Sequence, residues 1–166
     1  MKRLIVVRHA KATHKPGYED FDRPLTGRGR RDATRAGRWL RDQGFVPDLV
    51  LCSSARRTEQ TWTELAATLA DGHEIEVWYE PQLYGATEDF TFDMVAATPA
   101  AVSTLMVVGH NPTAQEVAAT LTGQGDLAFP TCAIAVVDLG DWARLVPGAG
   151  EARALWTPAL LSGPER

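Results

Sequence analysis

Three groups of side chains in this chain have the types and spacing to hold a reacting anion. Arg8 and His9 stand side by side, Arg56 and Arg57 follow Cys52-Ser53-Ser54-Ala55, and His110 lies between Gly109 and Asn111. Guanidinium groups are planar donors that match phosphoryl oxygens, and a neutral imidazole offers a nucleophilic nitrogen. Arginines around a histidine disfavour its protonated form, which keeps a ring nitrogen available for attack. The combination suits binding and transfer of a phosphoryl group. Taken singly, each group is also what a strand running out into a charged loop looks like, so what matters is whether the fold brings them together.

The elements in front of these groups predict that it does. Leu4-Ile5-Val6-Val7 leads to Arg8, Leu49-Val50-Leu51-Cys52 precedes the arginine pair, and Leu105 to Val108 closes on Gly109-His110. Short runs of this kind, without alternating polar residues, suit strands buried on both faces of a parallel sheet. Ligands in open α/β sheets bind at the carboxyl ends of such strands, with helix N-terminal amides adding positive potential. Thr26 can cap a helix carrying Ala33, Ala36, Trp39 and Leu40 and ending at Gly44. Ser53 and Ser54 are expected to cap a second, through Trp62, Leu65, Ala66 and Leu69. Asn111 as cap and Pro112 at the first helical position start another, through Ala114, Val117, Ala118 and Leu121.

Ile75, Val77 and Tyr79 alternate with acidic residues and Trp78, as in an edge strand, and Pro81 stops the run. Thr87 to Ala97 reads as a short helix, Cys132 to Val137 as a strand, and Ala152 to Trp156 as the last strand. The expected fold is α/β: a three-layer α/β/α sandwich with a mainly parallel central sheet, in one domain over residues 1–161. Residues 162–166 are expected to form a disordered tail.

Composition narrows the classes. The chain has 166 residues, 45% hydrophobic and 23% charged, an ordinary balance for a soluble globular protein. Its 17 basic and 21 acidic residues give a net charge of -4, which disfavours bulk binding to nucleic acid. Arg28, Arg30, Arg31, Arg35 and Arg38 are expected to be a solvated helix face. No segment approaches a membrane span and the first apolar run is too short for a signal peptide, so a cytoplasmic location is expected. The 2 cysteines, Cys52 and Cys132, each lie in an apolar run and read as small core residues in a reducing compartment. The 4 histidines show no zinc-type pairing, and His14 and His73 sit in loop and turn contexts. No metal site and no cofactor are expected. A monomer is the default, with Trp78 on an edge strand as the residue that could pair across a dimer.

Four motifs in order now carry a resemblance. Arg8-His9 after a strand, Leu25-Thr26-x-x-Gly29, Ser53-Ser54 followed by Arg57-x-x-Gln60-Thr61, and Val107-x-Gly109-His110-Asn111 resemble those of the histidine phosphatase superfamily, also called phosphoglycerate-mutase-like. The Asp22-Arg23-Pro24-Leu25-Thr26 run and the short length look most like its SixA-type phosphohistidine phosphatase branch. The resemblance implies a phosphoglycerate-mutase-like fold and a metal-independent phosphatase in which His9 is transiently phosphorylated. It implies that Arg8 and Arg57 hold the phosphoryl oxygens, that His110 donates to them, and that Arg23 adds a contact. Arg57, not Arg56, is the family position. The implied partner is a protein carrying phosphohistidine, or alternatively a small phosphoester.

Two departures bear on this. Ala10 stands where most of the superfamily has glycine, so the backbone there must accept a Cβ. Many family phosphatases place a glutamate just before the Tyr84-Gly85 region as proton donor. Here Pro81, Gln82 and Leu83 stand there, leaving Glu80 as the candidate and Glu88 and Asp89 as others. Lack of a dedicated acid hinders departure of poor leaving groups such as alkoxides more than that of a phosphoramidate nitrogen. Among rivals, a cysteine phosphatase would need its arginine one residue later, where Thr58 stands. No P-loop or nucleophile-elbow motif is present. A mutase of the same superfamily would carry longer insertions. A phosphate-recognition module without turnover would have no need of His9.

Overall fold

Leu4 to Val7 and the runs like it do form the strands that place the site. The computed structural model describes residues 1–161; the expected tail, 162–166, lies outside the described residues. The strands are β1 (Lys2–Arg8), β2 (Leu49–Ser53), β3 (Glu76–Glu80), β4 (Thr104–Gly109), β5 (Ile134–Leu139) and β6 (Glu151–Trp156). They make one 6-stranded sheet in the order β3-β2-β4-β1-β5-β6. β1, β2, β3 and β4 are mutually parallel, and the register sets Arg8 opposite Gly109, Cys52 opposite Val108 and Ser53 opposite Glu80. The carboxyl ends of β1, β2 and β4 therefore finish level with one another.

β5 runs antiparallel to β1, with Ile134 opposite Val7, and β6 runs antiparallel to β5. The sheet is thus mainly parallel, and the reversed strand begins at the edge where β1 ends. That brings the loop before β5 to the same edge: Arg8 N donates to Ala133 O and Cys132 N to His9 O.

The helices are α1 (Gly27–Gln43), α2 (Arg56–Leu69), α3 (Glu88–Ala96), α4 (Thr113–Thr122) and α5 (Pro158–Leu161). Alternation along the strands feeds two cores. Ile5, Val7, Val50, Met106 and Val108 pack with Ala33, Ala36 and Leu40 of α1 and Trp62, Leu65 and Leu69 of α2. Leu4, Val6, Leu51, Leu105 and Val107 pack with Val95 of α3 and Val117 and Leu121 of α4. This is the three-layer sandwich. Each fully buried Leu or Ile contributes roughly 1.5–3 kcal/mol relative to exposure.

α1 starts where expected, with the Thr26 hydroxyl accepting from Gly29 N at 3.0 Å, and it stops at Gly44, whose φ of 78° is left-handed. Gly29 has a second duty. A Cβ there would lie 2.2 Å from Lys11 O, so only glycine lets the loop after β1 cross the first turn of α1.

Three local expectations need correction. Ser53 does not cap α2: it is the last residue of β2, and the cap position is Ala55, with no side-chain bond. Pro112 is the cap residue of α4 and not its first helical residue, while Asn111 Oδ1 accepts from Gln115 N at 3.2 Å. β5 begins at Ile134, two residues after Cys132, whose φ of 65° breaks the extended run. No helix among the described residues is long and apolar enough to cross a membrane.

Candidate active site

His9 follows β1 directly and is 8% exposed. Its Nδ1 lies 2.8 Å from the Ala10 carbonyl oxygen, which can only accept. Nδ1 therefore carries the ring proton, and Nε2 keeps its electron pair. Burial, together with the fields of His110, Arg57 and Arg8, pushes the pKa of His9 down to about 3 against the partial support of the Ala10 bond, so the ring is neutral at pH 7. Ala10 itself is fully buried and its φ is outside the left-handed region, so its Cβ is accommodated. Its N–H donates to the Thr61 hydroxyl at 2.9 Å, and that hydroxyl donates to Arg57 O at 2.7 Å. Gln60 Oε1 accepts from Leu25 N at 2.8 Å. The Gln60-Thr61 pair thus ties α2 to both the His9 loop and the Leu25-Thr26 turn.

His110 follows β4, with its ring centroid 5.4 Å from that of His9. Its Nε2 lies 2.8 Å from the Ser53 hydroxyl, which accepts from Ala55 N at 3.3 Å. That hydroxyl has no other acceptor for its own proton among the described residues, so it donates to Nε2 and the ring proton of His110 sits on Nδ1. Nδ1 is buried with no partner among the described residues. Burial first, and then Arg57, Arg23 and Arg8 against Asp20, lowers the pKa of His110 to about 4.

Arg8 donates from Nη1 to the Phe129 carbonyl at 3.1 Å, and Asn111 Nδ2 donates to the same oxygen at 2.9 Å. Arg57, 6% exposed in the first turn of α2, donates from Nη1 to Asp20 O at 2.7 Å and from Nη2 to Asp20 Oδ2 at 3.1 Å. Its guanidinium carbon lies 5.9 Å from the centre of the Tyr84 ring. The Nε atoms of Arg8 and Arg57 are both buried without partners among the described residues. An unpaired buried donor is costly. Three of them, on residues whose fields all reach His9, fit a tetrahedral oxyanion, because each can supply a hydrogen bond and the arginines supply charge.

Asp20, in a short 3-10 turn over Asp20–Asp22, gathers the rim. Besides Arg57, its Oδ2 accepts from the Tyr84 hydroxyl at 2.6 Å and its Oδ1 from Arg23 Nε at 3.1 Å. The Tyr84 bond above all, then those from Arg57 and Arg23, holds its pKa down near 2. Arg23 also donates to Thr13 O at 3.0 Å, and its field reaches His110. Tyr84 meets His110 edge-on at 5.6 Å and Phe21 at 5.0 Å.

The structure thus brings Arg8, His9, Arg57, His110 and Arg23 to one edge. Glu80 closes edge strand β3 beside Ser53, and its side chain makes no hydrogen bond or ion pair with the described residues. Glu88 is engaged by the Thr120 hydroxyl across α3 and α4. Arg56 is exposed and among the described residues reaches only Asp22 O, at 3.3 Å, and His14 and His73 are exposed. Along α1, Arg30 pairs with Glu64, and Arg28 and Arg35 pair with Asp32. Cys52 is buried, and burial raises its pKa, as fits a core thiol. Among the described residues no group of three or more His, Cys, Asp or Glu could hold a metal ion. Sequence reasoning missed Asp20, Tyr84 and Ser53. The one available signal was an acidic turn at residues 20–22 immediately before Arg23.

Comparison with known proteins places this geometry. Residues 4–103 match the profile of the histidine phosphatase superfamily (branch 1). An uncharacterised protein of Mycobacterium tuberculosis is 39% identical over 153 residues, covering 86% of this chain and 93% of that protein. One of Mycobacterium leprae is 37% identical over 166 residues, covering 92% and 99%. The structure of a proposed phosphohistidine phosphatase SixA from Nakamurella multipartitia superposes with a TM-score of 0.79 at 35% identity, over 95% of this chain and 96% of that one. The protein histidine phosphatase SixA complexed with tungstate gives 0.83 at 27% identity, over 96% and 99%.

Proposed function

The chain belongs to the histidine phosphatase superfamily, in its SixA-type branch, and on that premise we propose that it hydrolyses phosphohistidine in proteins through a phosphorylated His9. The observation that carries this reading is the Nδ1 bond of His9 to the Ala10 carbonyl, which leaves the Nε2 electron pair free on a ring that feels Arg8, Arg57 and His110, each with a buried donor unpaired among the described residues.

In the first step His9 Nε2 attacks phosphorus in line and the bond from phosphorus to the leaving nitrogen breaks. Arg8, Arg57 and the Nδ1–H of His110 hold the phosphoryl oxygens as charge builds on them, and Arg23 adds positive potential at the rim. In the second step water attacks the phosphorus on His9, and the Nε2 electron pair returns with phosphate released. Guanidinium and imidazole groups supply the charge stabilisation, so the reaction needs no metal and no organic cofactor. The enzyme acts as a cytoplasmic monomer, and an exposed rim suits a phosphorylated side chain presented by another protein.

One feature favours a second reading. A cavity of about 340 Å³ between α3 and α4, floored by Leu4, Val6 and Val107, borders His110 and Asn111. Such a cavity suits the apolar part of a small phosphate monoester.

The deciding experiment measures turnover with EDTA present on a phosphohistidine peptide and on an aryl phosphate, using wild type and His9→Ala. Turnover of the peptide well above the ester, absent in His9→Ala, is the expected result. Better turnover of the ester moves the substrate to small monoesters, and wild-type rates in His9→Ala overturn the mechanism.

A further inference from the structure

Resting on the reading above, we infer that Asp20 selects a phosphorylated imidazole over a phosphate ester by accepting a hydrogen bond from the ring N–H that only the former carries. The carboxylate is placed for this. Its Oδ2 is taken by Arg57 and Tyr84, whereas Oδ1 accepts only from Arg23 among the described residues, which leaves it an open acceptor site. The side chain is 55% exposed, so an incoming group can reach it, and its field is felt at His110. The groups facing it are Arg57 from α2, Arg23 from the end of its own turn, Tyr84 from the loop after β3 and His110 from the loop after β4. Two of these are cations that keep the carboxylate ionised.

An ionised carboxylate so held cannot give a proton to a departing alkoxide, and it repels one. A phosphoimidazole needs no such gift. Its ring takes a proton on the nitrogen that does not carry phosphorus, and that N–H donates to Asp20 Oδ1. When His9 Nε2 attacks, the phosphorus–nitrogen bond breaks and its electron pair stays on the departing nitrogen. The product is a neutral imidazole whose one ring proton was present from the start. No general acid is required. Asp20 favours the cationic ring in the bound state and so raises the pKa of the bound substrate.

The test compares wild type, Asp20→Asn and Asp20→Glu on phosphoimidazole, a phosphohistidine peptide and an aryl phosphate. In Asp20→Asn the ratio of kcat/KM on phosphoimidazole to that on the aryl phosphate is expected to fall at least tenfold, and the alkaline limb of kcat on phosphoimidazole moves to lower pH. Asp20→Glu restores part of the ratio. An equal fall on both probes, with no shift of the limb, means that Asp20 only positions Arg57 and overturns the inference. So does a ratio that does not change. Wild-type turnover of phosphoimidazole but not of the peptide overturns the protein substrate alone and leaves the role of Asp20 standing. Turnover of neither nitrogen-linked probe, with the ester hydrolysed, overturns both.

Discussion

The ends of β1 and β4 carry the same side chain on adjacent parallel strands, yet the two imidazoles present opposite nitrogens. His9 donates its Nδ1–H to a backbone carbonyl and keeps a free electron pair on Nε2. His110 accepts a hydrogen bond from a serine hydroxyl at Nε2 and keeps its own proton on Nδ1. Both rings are neutral for the same first reason, burial. What separates a nucleophile from a donor is therefore the partner on the other nitrogen: a carbonyl can only accept, whereas the buried Ser53 hydroxyl, whose proton has no other acceptor among the described residues, donates. Residue type alone does not assign the roles.

The severest way to break this contrast is to remove the nucleophile. His9→Ala is expected to lower kcat by at least roughly 10⁴-fold with an unchanged circular dichroism spectrum, and loss of a phosphorylated-enzyme intermediate in a rapid-quench experiment checks the step. Next in size is Arg57→Ala, expected to cost roughly 10²- to 10³-fold in kcat through lost charge stabilisation; a change confined to KM would mean uniform binding instead. The donor half of the contrast is sharpened by Ser53→Ala, which removes the group that holds His110 in one tautomer. About a tenfold loss in kcat is expected, while phosphorylation of His9 still occurs, only more slowly. Were Ser53→Ala as damaging as His9→Ala, the division of roles would be wrong.

A fourth prediction concerns pH and stability. Both histidines have folded pKa values below the ordinary 6.5, near 3 and 4, so the unfolded chain binds protons that the folded one refuses. Their contribution is present in full above pH 6.5 and is lost as pH falls from there towards those folded values. The slope is at most about 1.4 kcal/mol per pH unit for each histidine. Asp20 adds in the same sense only below its ordinary value of 3.8, as its carboxylate protonates towards pH 2. Unfolding midpoints measured between pH 7 and pH 4 should therefore fall, and fall less steeply in His9→Ala. Smallest of all is Cys52→Ser. Activity is expected to persist, with a stability loss of about 1 kcal/mol, because Cys52 only fills the core under α2.

Much of this was legible beforehand, for identifiable reasons. Unbroken apolar runs such as Leu4 to Val7 can be satisfied only by burial on both faces, which names the sheet and its reactive edge. Thr26, Gly29 and Gly44 punctuate α1 because a hydroxyl, a missing Cβ and a left-handed φ are each needed at one place. Where local signals compete, the reading slipped. Ser53 has the side chain of a cap, but the strand claims its backbone and His110 claims its hydroxyl. The reversal of β5 left no local mark, since Ile134 to Leu139 is as apolar as a parallel strand would be.

By itself the sequence determined the class of fold, the identity of the two histidines and the arginines, and their arrival at strand ends, because hydrophobic periodicity and cap chemistry act over a few residues. Only the tertiary structure decided which nitrogen of each ring is free and that Asp20 closes on Arg57 and Tyr84 across 37 and 64 residues of chain. Nor could anything short of it bring the Phe129 carbonyl beside Arg8, across 121 residues. Hydrogen-bond direction depends on atoms a few ångströms away in space, and spacing along the chain carries no record of them.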